Sequence, residues 1–306
     1  MMKLATPSHK IKNRIKHKLS ERIMDAIIVL LMVVLMFLTV YPLLYTIFAS
    51  LSDARRLLMH DGPLWFPIQP MTLMGYEKTL SNRGIVMGFR NTLGYVVGGT
   101  TFSLLITTLG AFVLSRPNFL PRGLILKFIM MTMFFSGGLI PLFFVVKLVG
   151  IYDTPYAFVL PYCLNTYNMI IMRTFFQGIP ASLEESAVLD GATDLQVMMH
   201  IFIPLSSAVI AVITMYYGVS YWNSWYPAVV FMRTRSQYPL QMFLREILIL
   251  NEVTDQLDAS TKVEEAYYRE LVKYCTVVVS TVPILVIYPF LQRYFVKGVM
   301  IGAIKG

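Results

Sequence analysis

The sequence predicts an all-α membrane protein that crosses the bilayer six times. Of its 306 residues, 56% are hydrophobic and only 14% are charged, whereas soluble domains average about 45–50% apolar and about 25% charged residues. A membrane-spanning helix needs about 20 mostly apolar residues. Six stretches meet that requirement, and they are residues 23–50, 91–115, 124–149, 154–176, 205–231 and 271–290.

The two ends of the chain predict its orientation in the membrane. Residues 1–22 are rich in Lys and Arg and precede the first apolar stretch, which is typical of a cytoplasmic anchor beside an anionic leaflet. This position argues against nucleic-acid binding as the reason for the net charge of +9. The first stretch is also too long for the apolar core of a signal peptide, so we expect it to be retained. A six-span domain, 23–291, would return the tail 292–306 to the cytoplasm.

The loops are assigned by the same reasoning. Residues 51–90 and 232–270 are expected outside, and the second of these segments is rich in Asp and Glu. Arg116 and Arg122 indicate that the loop after the second span lies inside. The segment 177–204 should lie inside as well, although it contains no Lys or Arg and so does not follow the charge rule.

The predicted spans lack the features of an ion-coupled transporter or an ATPase. No Asp or Glu lies in the middle of a span, where such residues mark proton relays and ion pathways. The chain has no Gly-Lys dipeptide and therefore no phosphate-binding Walker A loop. Cys163 and Cys275 fall in apolar stretches and predict two buried thiols rather than a disulfide. No Cys or His spacing predicts a metal site, and no catalytic constellation is visible.

The segment between the fourth and fifth spans predicts two short helices joined by a glycine turn. Ser182 with Glu185, and Thr193 with the Gln three positions later, have the spacing of capping boxes. Gly191 lies between them, where the end of a helix favours a residue at positive φ. Pro204 would then open the fifth span. A helix-turn-helix between two spans has the shape of a docking element.

This segment resembles the cytoplasmic motif of type I ABC importer permeases, which reads Glu-Ala-Ala, three residues, Gly, nine residues and then Ile-x-Leu-Pro. Here 185–187 read Glu-Ser-Ala, Gly191 follows at the family's spacing, and 201–204 read Ile-Phe-Ile-Pro. The two departures, Ser for Ala and Ile for Leu, conserve size. The Asp-Gly-Ala triplet at 190–192 is similar to the carbohydrate branch of the family.

Two further stretches support the resemblance, which covers most of the chain. Residues 292–306, QRYFVKGVMIGAIKG, are similar to the tail of maltose-transporter-type second permeases. Residues 221–231, YWNSWYPAVVF, resemble the Trp-Asn-x-Trp signature of the same group. Within the carbohydrate branch, the chain looks closest to the permeases for polysaccharides and lipoprotein-linked oligosaccharides.

The resemblance implies a transport complex in which this chain is one permease of a heterodimer. Its partners would be a second permease, ATP-binding subunits that hold ATP and Mg, and an external solute-binding protein. The chain itself would hold no cofactor and would catalyse no reaction. It would move a carbohydrate, expected to be an oligosaccharide, into the cytoplasm by alternating access.

In that family the loop docks into a cleft on the ATP-binding subunit. The residues expected at this contact are Glu185, Ser186, Ala187, Asp190, Gly191 and Ala192. Those expected to shape the loop are Ser182, Thr193, Ile201 and Pro204. For Glu185, capping of its own helix is the alternative role, and both roles are compatible.

Aromatic and amide side chains near the outer end of the fifth span, with two amides in the fourth, predict a path for sugar. Sugars stack on aromatic faces and form hydrogen bonds with amides. The candidates are Tyr217, Tyr221, Trp222, Asn223, Asn165 and Asn168. An aromatic belt at the membrane interface is the alternative for the aromatic residues, and contact between helices is the alternative for the two Asn in the fourth span.

Other functions stay open at this point. An ABC permease for a non-sugar solute would share the loop motif. An ion-coupled secondary transporter would need a coupling-ion site or inverted repeats, and neither is visible. A structural or enzymatic membrane subunit would leave the helix-turn-helix without a purpose. An ATP-hydrolysing partner that co-purifies with the chain would favour the importer.

Overall fold

The computed structural model describes the backbone of residues 19–254 and 263–303, with the side chains of 19–248, 267 and 269–289. These ranges contain helices and turns and no strand. The α-helices, in chain order, are α1 (Leu19–Ser50), α2 (Ala54–Leu58), α3 (Met74–Ser81), α4 (Arg83–Ser115), α5 (Arg122–Phe134), α6 (Leu139–Leu148), α7 (Pro155–Val159), α8 (Thr166–Gln177), α9 (Ala181–Leu189), α10 (Asp194–Val197), α11 (Ile203–Leu205), α12 (Ser207–Asn223), α13 (Tyr226–Phe231), α14 (Leu240–Thr254) and α15 (Val263–Ala303).

Parts of three predicted segments lie outside the described residues. They are most of the basic N-terminus, at 1–18, the centre of the external acidic loop, at 255–262, and the end of the tail, at 304–306. The backbone of the tail up to Ala303 is helical and continues α15.

Within the described residues, α1, α4 and a 21-residue part of α15 are each long and apolar enough to cross a membrane. If two pairs of helices that meet at a bend are each counted as one crossing, there are up to five crossings. The predicted spans 23–50, 91–115 and 271–290 lie within these three helices. The other three predicted spans are not single continuous helices, because the chain breaks within each of them.

The predicted span 124–149 is divided into α5 and α6, which meet at an angle of 120°. Gly138, directly before α6, has a φ of 84°, which glycine adopts without a steric penalty. Pro141 lies in the first turn of α6, where its missing N–H removes no helical hydrogen bond. The chain therefore starts a new helix here.

The predicted span 154–176 is divided into α7, a 3₁₀ turn at Leu160–Tyr162, and α8. Asn165 ends the break, because its Oδ1 accepts a hydrogen bond from the backbone N–H of Asn168 at 3.1 Å and so caps α8. One of the two amides predicted for the sugar path therefore also has a structural role.

The predicted span 205–231 starts at a bend of 85° between Asp194–Leu205 and Ser207–Asn223. Pro204 lies just before this bend, in the first turn of the short α11, and Ser206 is the N-cap of α12. Proline has no N–H to donate to the preceding turn, and that turn, Met198–Phe202, is a π-helix. The helical segment ends again after Asn223, before the short α13.

The core lies where α4 packs against α8 and α12. It is mostly apolar, and fully buried members include Phe158, Met169, Met172, Phe176, Phe202 and Ile213. Two pairs of hydroxyl groups cross it from α4 to α12. The Oγ of Ser103 lies 2.8 Å from the Oη of Tyr221, and the Oγ1 of Thr107 lies 2.7 Å from the Oη of Tyr217.

Asp153 lies in the loop between α6 and α7 and holds the loop that follows α13. Its Oδ1 accepts backbone N–H groups of Arg233 and Thr234 at 2.7 and 2.8 Å, and its Oδ2 accepts the Thr234 hydroxyl at 2.8 Å. These hydrogen bonds, with that from the Thr234 N–H the largest cause, hold the pKa of Asp153 below its usual value.

Candidate functional site

The predicted helix-turn-helix is present as α9, a glycine turn and α10. Gly191 has a φ of 82°. Its N–H donates to the carbonyl of Val188 at 3.0 Å, and the N–H of Ala192 donates to the carbonyl of Ala187 at 2.9 Å. These two bonds form a Schellman motif, which uses the last free carbonyls of α9. The predicted turn at Gly191 is confirmed.

Thr193 begins α10 through the predicted capping box. The Thr193 N–H donates to Oε1 of Gln196 at 2.8 Å, and the Gln196 N–H donates to the Thr193 hydroxyl at 3.4 Å. The second predicted box, at Ser182, is wrong. Pro180 is the N-cap, with a φ of −58°, so α9 starts at Ala181 and Ser182 already lies inside it. A residue with helical backbone angles cannot cap the same helix, and the carbonyl of Ser182 accepts the Ser186 hydroxyl instead.

Arg116, which directly follows α4, joins the helix-turn-helix to the bundle. Its guanidinium forms an ion pair with Glu184 of α9. The same group lies 4.0 Å from the ring centre of Phe202 and 4.9 Å from that of Phe112. Burial lowers the pKa of Arg116 and the charge of Glu184 opposes that effect, and an arginine remains protonated in either case.

Two more arginines support the same end of the bundle. Arg122 donates to the carbonyl of Arg116 at 3.1 Å, and Arg173 donates from Nε to the carbonyl of Leu114 at 2.9 Å. The acidic helix-turn-helix therefore lies beside basic residues that come from other parts of the chain. The contact of Arg116 with Glu184 was not predicted from the sequence. The available signal was the acidic loop without a basic residue of its own.

The predicted coupling residues divide into two groups. Ala187, Asp190, Gly191 and Ala192 line one cavity of about 340 Å³ between α9 and α10, together with Ile201. Glu185 and Ser186 do not line it and are exposed on α9. Large apolar side chains at the tip of the loop face outward, with Leu189 88% and Leu195 61% exposed. Exposed apolar surface of this kind is typical of a docking site.

Four of the predicted path residues line one cavity of about 200 Å³ in the bundle, and they are Asn165, Asn168, Tyr217 and Tyr221. The Tyr217 hydroxyl also accepts the backbone N–H of Asn165 at 3.1 Å. Contacts with hydroxyl groups of α4 hold the hydroxyl groups of both tyrosines in this wall. Within the described residues, no group of three or more His, Cys, Asp or Glu could hold a metal ion.

Trp222 and Asn223 lie on another face of α12 and line a different cavity. Trp222 is 5% exposed, its Nε1 donates to the carbonyl of Ser280 at 3.2 Å, and its ring contacts Phe89 edge-on. The structure therefore does not bring these two residues together with the other four. Their role in a sugar path stays a prediction.

No protein-family model matches the chain. It is 35% identical over 272 residues to the permease protein YtcP of a polygalacturonan/rhamnogalacturonan transport system of Bacillus subtilis (strain 168), with 87% of this chain and 92% of the relative covered. It is 36% identical over 265 residues to the protein LplC of the same organism, with 87% and 89% covered.

A solved structure gives the same result for the fold. A chain in the crystal structure of a bacterial ABC transporter involved in the import of the acidic polysaccharide alginate matches with a TM-score of 0.82 and 29% identity, covering 91% of this chain and 99% of that one. Sequence and fold agree over nearly the whole length. The chain therefore belongs to the permeases of carbohydrate ABC importers, which move oligo- or polysaccharides across the membrane.

Proposed function

We propose that this permease imports oligosaccharides released from an acidic, uronate-containing polysaccharide, and that the cavity lined by Asn165, Asn168, Tyr217 and Tyr221 contacts the sugar. The names of two similar proteins support the substrate class, because polygalacturonan and alginate are both polymers of uronic acids. A permease subunit of this kind is not itself an ATPase, and it works with an ATPase and a solute-binding protein.

The observation that carries the proposal is the chemistry of this cavity. Tyr217 and Tyr221 offer aromatic rings, while their hydroxyl groups are held by α4. Asn168 is only 5% exposed, and its amide lines the same cavity. Rings and amides in fixed positions are suited to the faces and hydroxyl groups of a sugar.

Coupling to ATP hydrolysis is assigned to the helix-turn-helix of α9 and α10. Support comes from its exposed apolar tip, its ordered glycine turn and its ion pair with Arg116. Glu185, Ser186, Ala187, Asp190, Gly191 and Ala192 would contact the ATP-binding subunit. ATP and Mg would be held by that subunit.

Six crossings, with both termini in the cytoplasm, are proposed for the complete permease. The segment 155–177 is broken into α7, a 3₁₀ turn and α8, and its 23 residues lie within the range of about 17–25 residues that one crossing needs. The most apolar 18 residues of α1 are not buried by any other part of this chain. This helix is free to contact lipid or a second, different permease subunit, in keeping with a heterodimer.

The test is uptake of radiolabelled trigalacturonate by proteoliposomes that contain the complete importer with its binding protein. Asn168→Leu removes the amide at similar volume, and loss of a hydrogen bond of about 1.5 kcal/mol would raise the KM about tenfold. Tyr167→Leu is the control, because Tyr167 is 57% exposed on the same helix and does not line the cavity. Equal KM values for the two variants would contradict the assignment of the cavity. Uptake of neutral sugars only would contradict the substrate class.

A further inference from the structure

A second cavity, of about 520 Å³, lies at the outer end of α12. Its wall is formed by α12, α14 and α15, and its polar or aromatic members include Asn223, Trp225, Gln241, Arg245 and Thr281. The 17 residues of α12 span about 25 Å, so this cavity and the helix-turn-helix lie at opposite ends of the bundle. A solute from outside would meet it before the cavity at Tyr217.

Among the described residues that line this cavity, Arg245 is the charged one. The carbon at the centre of its guanidinium lies 4.6 Å from the ring centre of Trp225. The neighbouring carboxylate, Glu246, is bonded to Arg235 at 2.6 Å and is therefore occupied. Within the part of the chain that the structure describes, Arg245 forms no ion pair. Arg245 is half-buried beside an aromatic ring, and with no carboxylate partner among the described side chains its guanidinium has unused donors.

We propose that Arg245 binds the carboxylate of a uronate unit as the acidic oligosaccharide enters the permease. A guanidinium presents its N–H groups in a planar fork that matches a carboxylate with two parallel hydrogen bonds. Trp225 keeps the fork in position and, at 39% exposure, still offers ring surface to the sugar. The amides of Asn223 and Gln241 face the same cavity and are suited to sugar hydroxyl groups.

This inference rests on the proposed import of acidic oligosaccharides and adds a site that selects them by charge. It also gives Asn223 a place in the sugar path that is separate from the cavity of Asn165 and Tyr217. Arg245 would strengthen the binding of a uronate oligosaccharide and would not affect the binding of its methyl ester, because the ester has no negative charge for the guanidinium to contact.

The experiment measures KM for uptake of trigalacturonate and of its full methyl ester, using proteoliposomes with the complete importer. We expect Arg245→Gln to raise the KM for trigalacturonate about tenfold to a hundredfold, the loss of one charged bidentate contact, with the KM for the ester unchanged. Arg233→Gln is the matched control, because Arg233 is exposed, lies over the ring of Tyr152 and does not line the cavity.

The outcomes separate the two proposals. Normal KM values for both substrates in Arg245→Gln would overturn the carboxylate site while leaving acidic import intact. An equal rise for the acid and the ester would also overturn it, because Arg245 would then only support the fold around Trp225. If the unmodified importer does not take up trigalacturonate, the proposed substrate class fails first.

Discussion

The ion pair between Arg116 and Glu184 determines how firmly the helix-turn-helix is attached to the bundle, and Glu184→Gln tests this. The side chains are 16% and 27% exposed, respectively. The substitution keeps the shape of the side chain and removes its charge. The guanidinium then remains between Phe112 and Phe202 without the carboxylate that it contacts.

The magnitude follows from that intermediate burial. Exposed ion pairs contribute about 0.2–1 kcal/mol, and loss of one partner of a buried pair costs about 3–5 kcal/mol. For Arg116 and Glu184 we expect about 1.5–2 kcal/mol, in the range of hydrogen bonds to charged groups. This corresponds to about a tenfold to thirtyfold change in the equilibrium for local opening of α9.

Amide hydrogen exchange of the assembled importer in lipid nanodiscs measures this opening. In Glu184→Gln, exchange in α9 should accelerate about tenfold to thirtyfold, while exchange in α12 stays unchanged. Glu77→Gln is the charge control, since Glu77 lies on α3 away from the loop, is exposed and forms no ion pair among the described residues. Arg116→Gln should accelerate amide exchange in α9 less when Glu184→Gln is already present than it does in the unmodified importer. Equal exchange in the two Glu variants would refute the reasoning.

Three more predictions concern single positions. Gly99→Ala places a Cβ 2.8 Å from the Tyr221 ring, so the free energy of unfolding should fall by about 1–3 kcal/mol. Gly98→Ala is the control, because its Cβ meets nothing within 4 Å and should not destabilise the protein. Equal melting temperatures for the two variants would contradict this prediction. Because the pKa of Asp153 is depressed, the carboxylate stabilises the fold at neutral pH, and this stabilisation is lost as pH falls below about 4. Melting temperatures measured between pH 3 and 6 should therefore depend less on pH in Asp153→Asn than in the unmodified protein. Gly191→Ala adds only backbone strain, about 1 kcal/mol, whereas Gly191→Asp also adds a charge to the loop. Sugar uptake should therefore be lost in Gly191→Asp, although the variant reaches normal abundance in the membrane. Equal uptake by the two variants would argue against docking of the loop.

Hydropathy located the apolar stretches of the chain but not the points where their helices break. An apolar count averages over about 20 residues, whereas a break depends on one or two residues. Gly138 is at positive φ and Asn165 caps α8, and neither residue lowers the hydropathy of its segment enough to reveal the break. Pro204 was visible in the sequence, but its position before the bend depends on the π-helical turn that precedes it.

The loop was more predictable because its signals are local. The turn at Gly191 and the box at Thr193 depend on residues that are close in sequence. The box at Ser182 failed because Pro180, two residues earlier, competes for the start of the same helix. Arg116 could not be found by spacing, since it is 68 residues from Glu184 and only the fold brings the two together.

The position of α4 connects the two proposed sites. At its end, Arg116 holds Glu184 of the helix-turn-helix, and further along the same helix Thr107 and Ser103 hold the two tyrosines of the sugar cavity. From Arg116 to Ser103 a helix extends about 20 Å. A displacement of Glu184 can be absorbed by reorientation of the Arg116 side chain, by rupture of the ion pair or by movement of the end of α4. Only the last of these carries motion from the loop toward the tyrosines. The strength of one ion pair therefore sets an upper limit on the motion that this route can transmit.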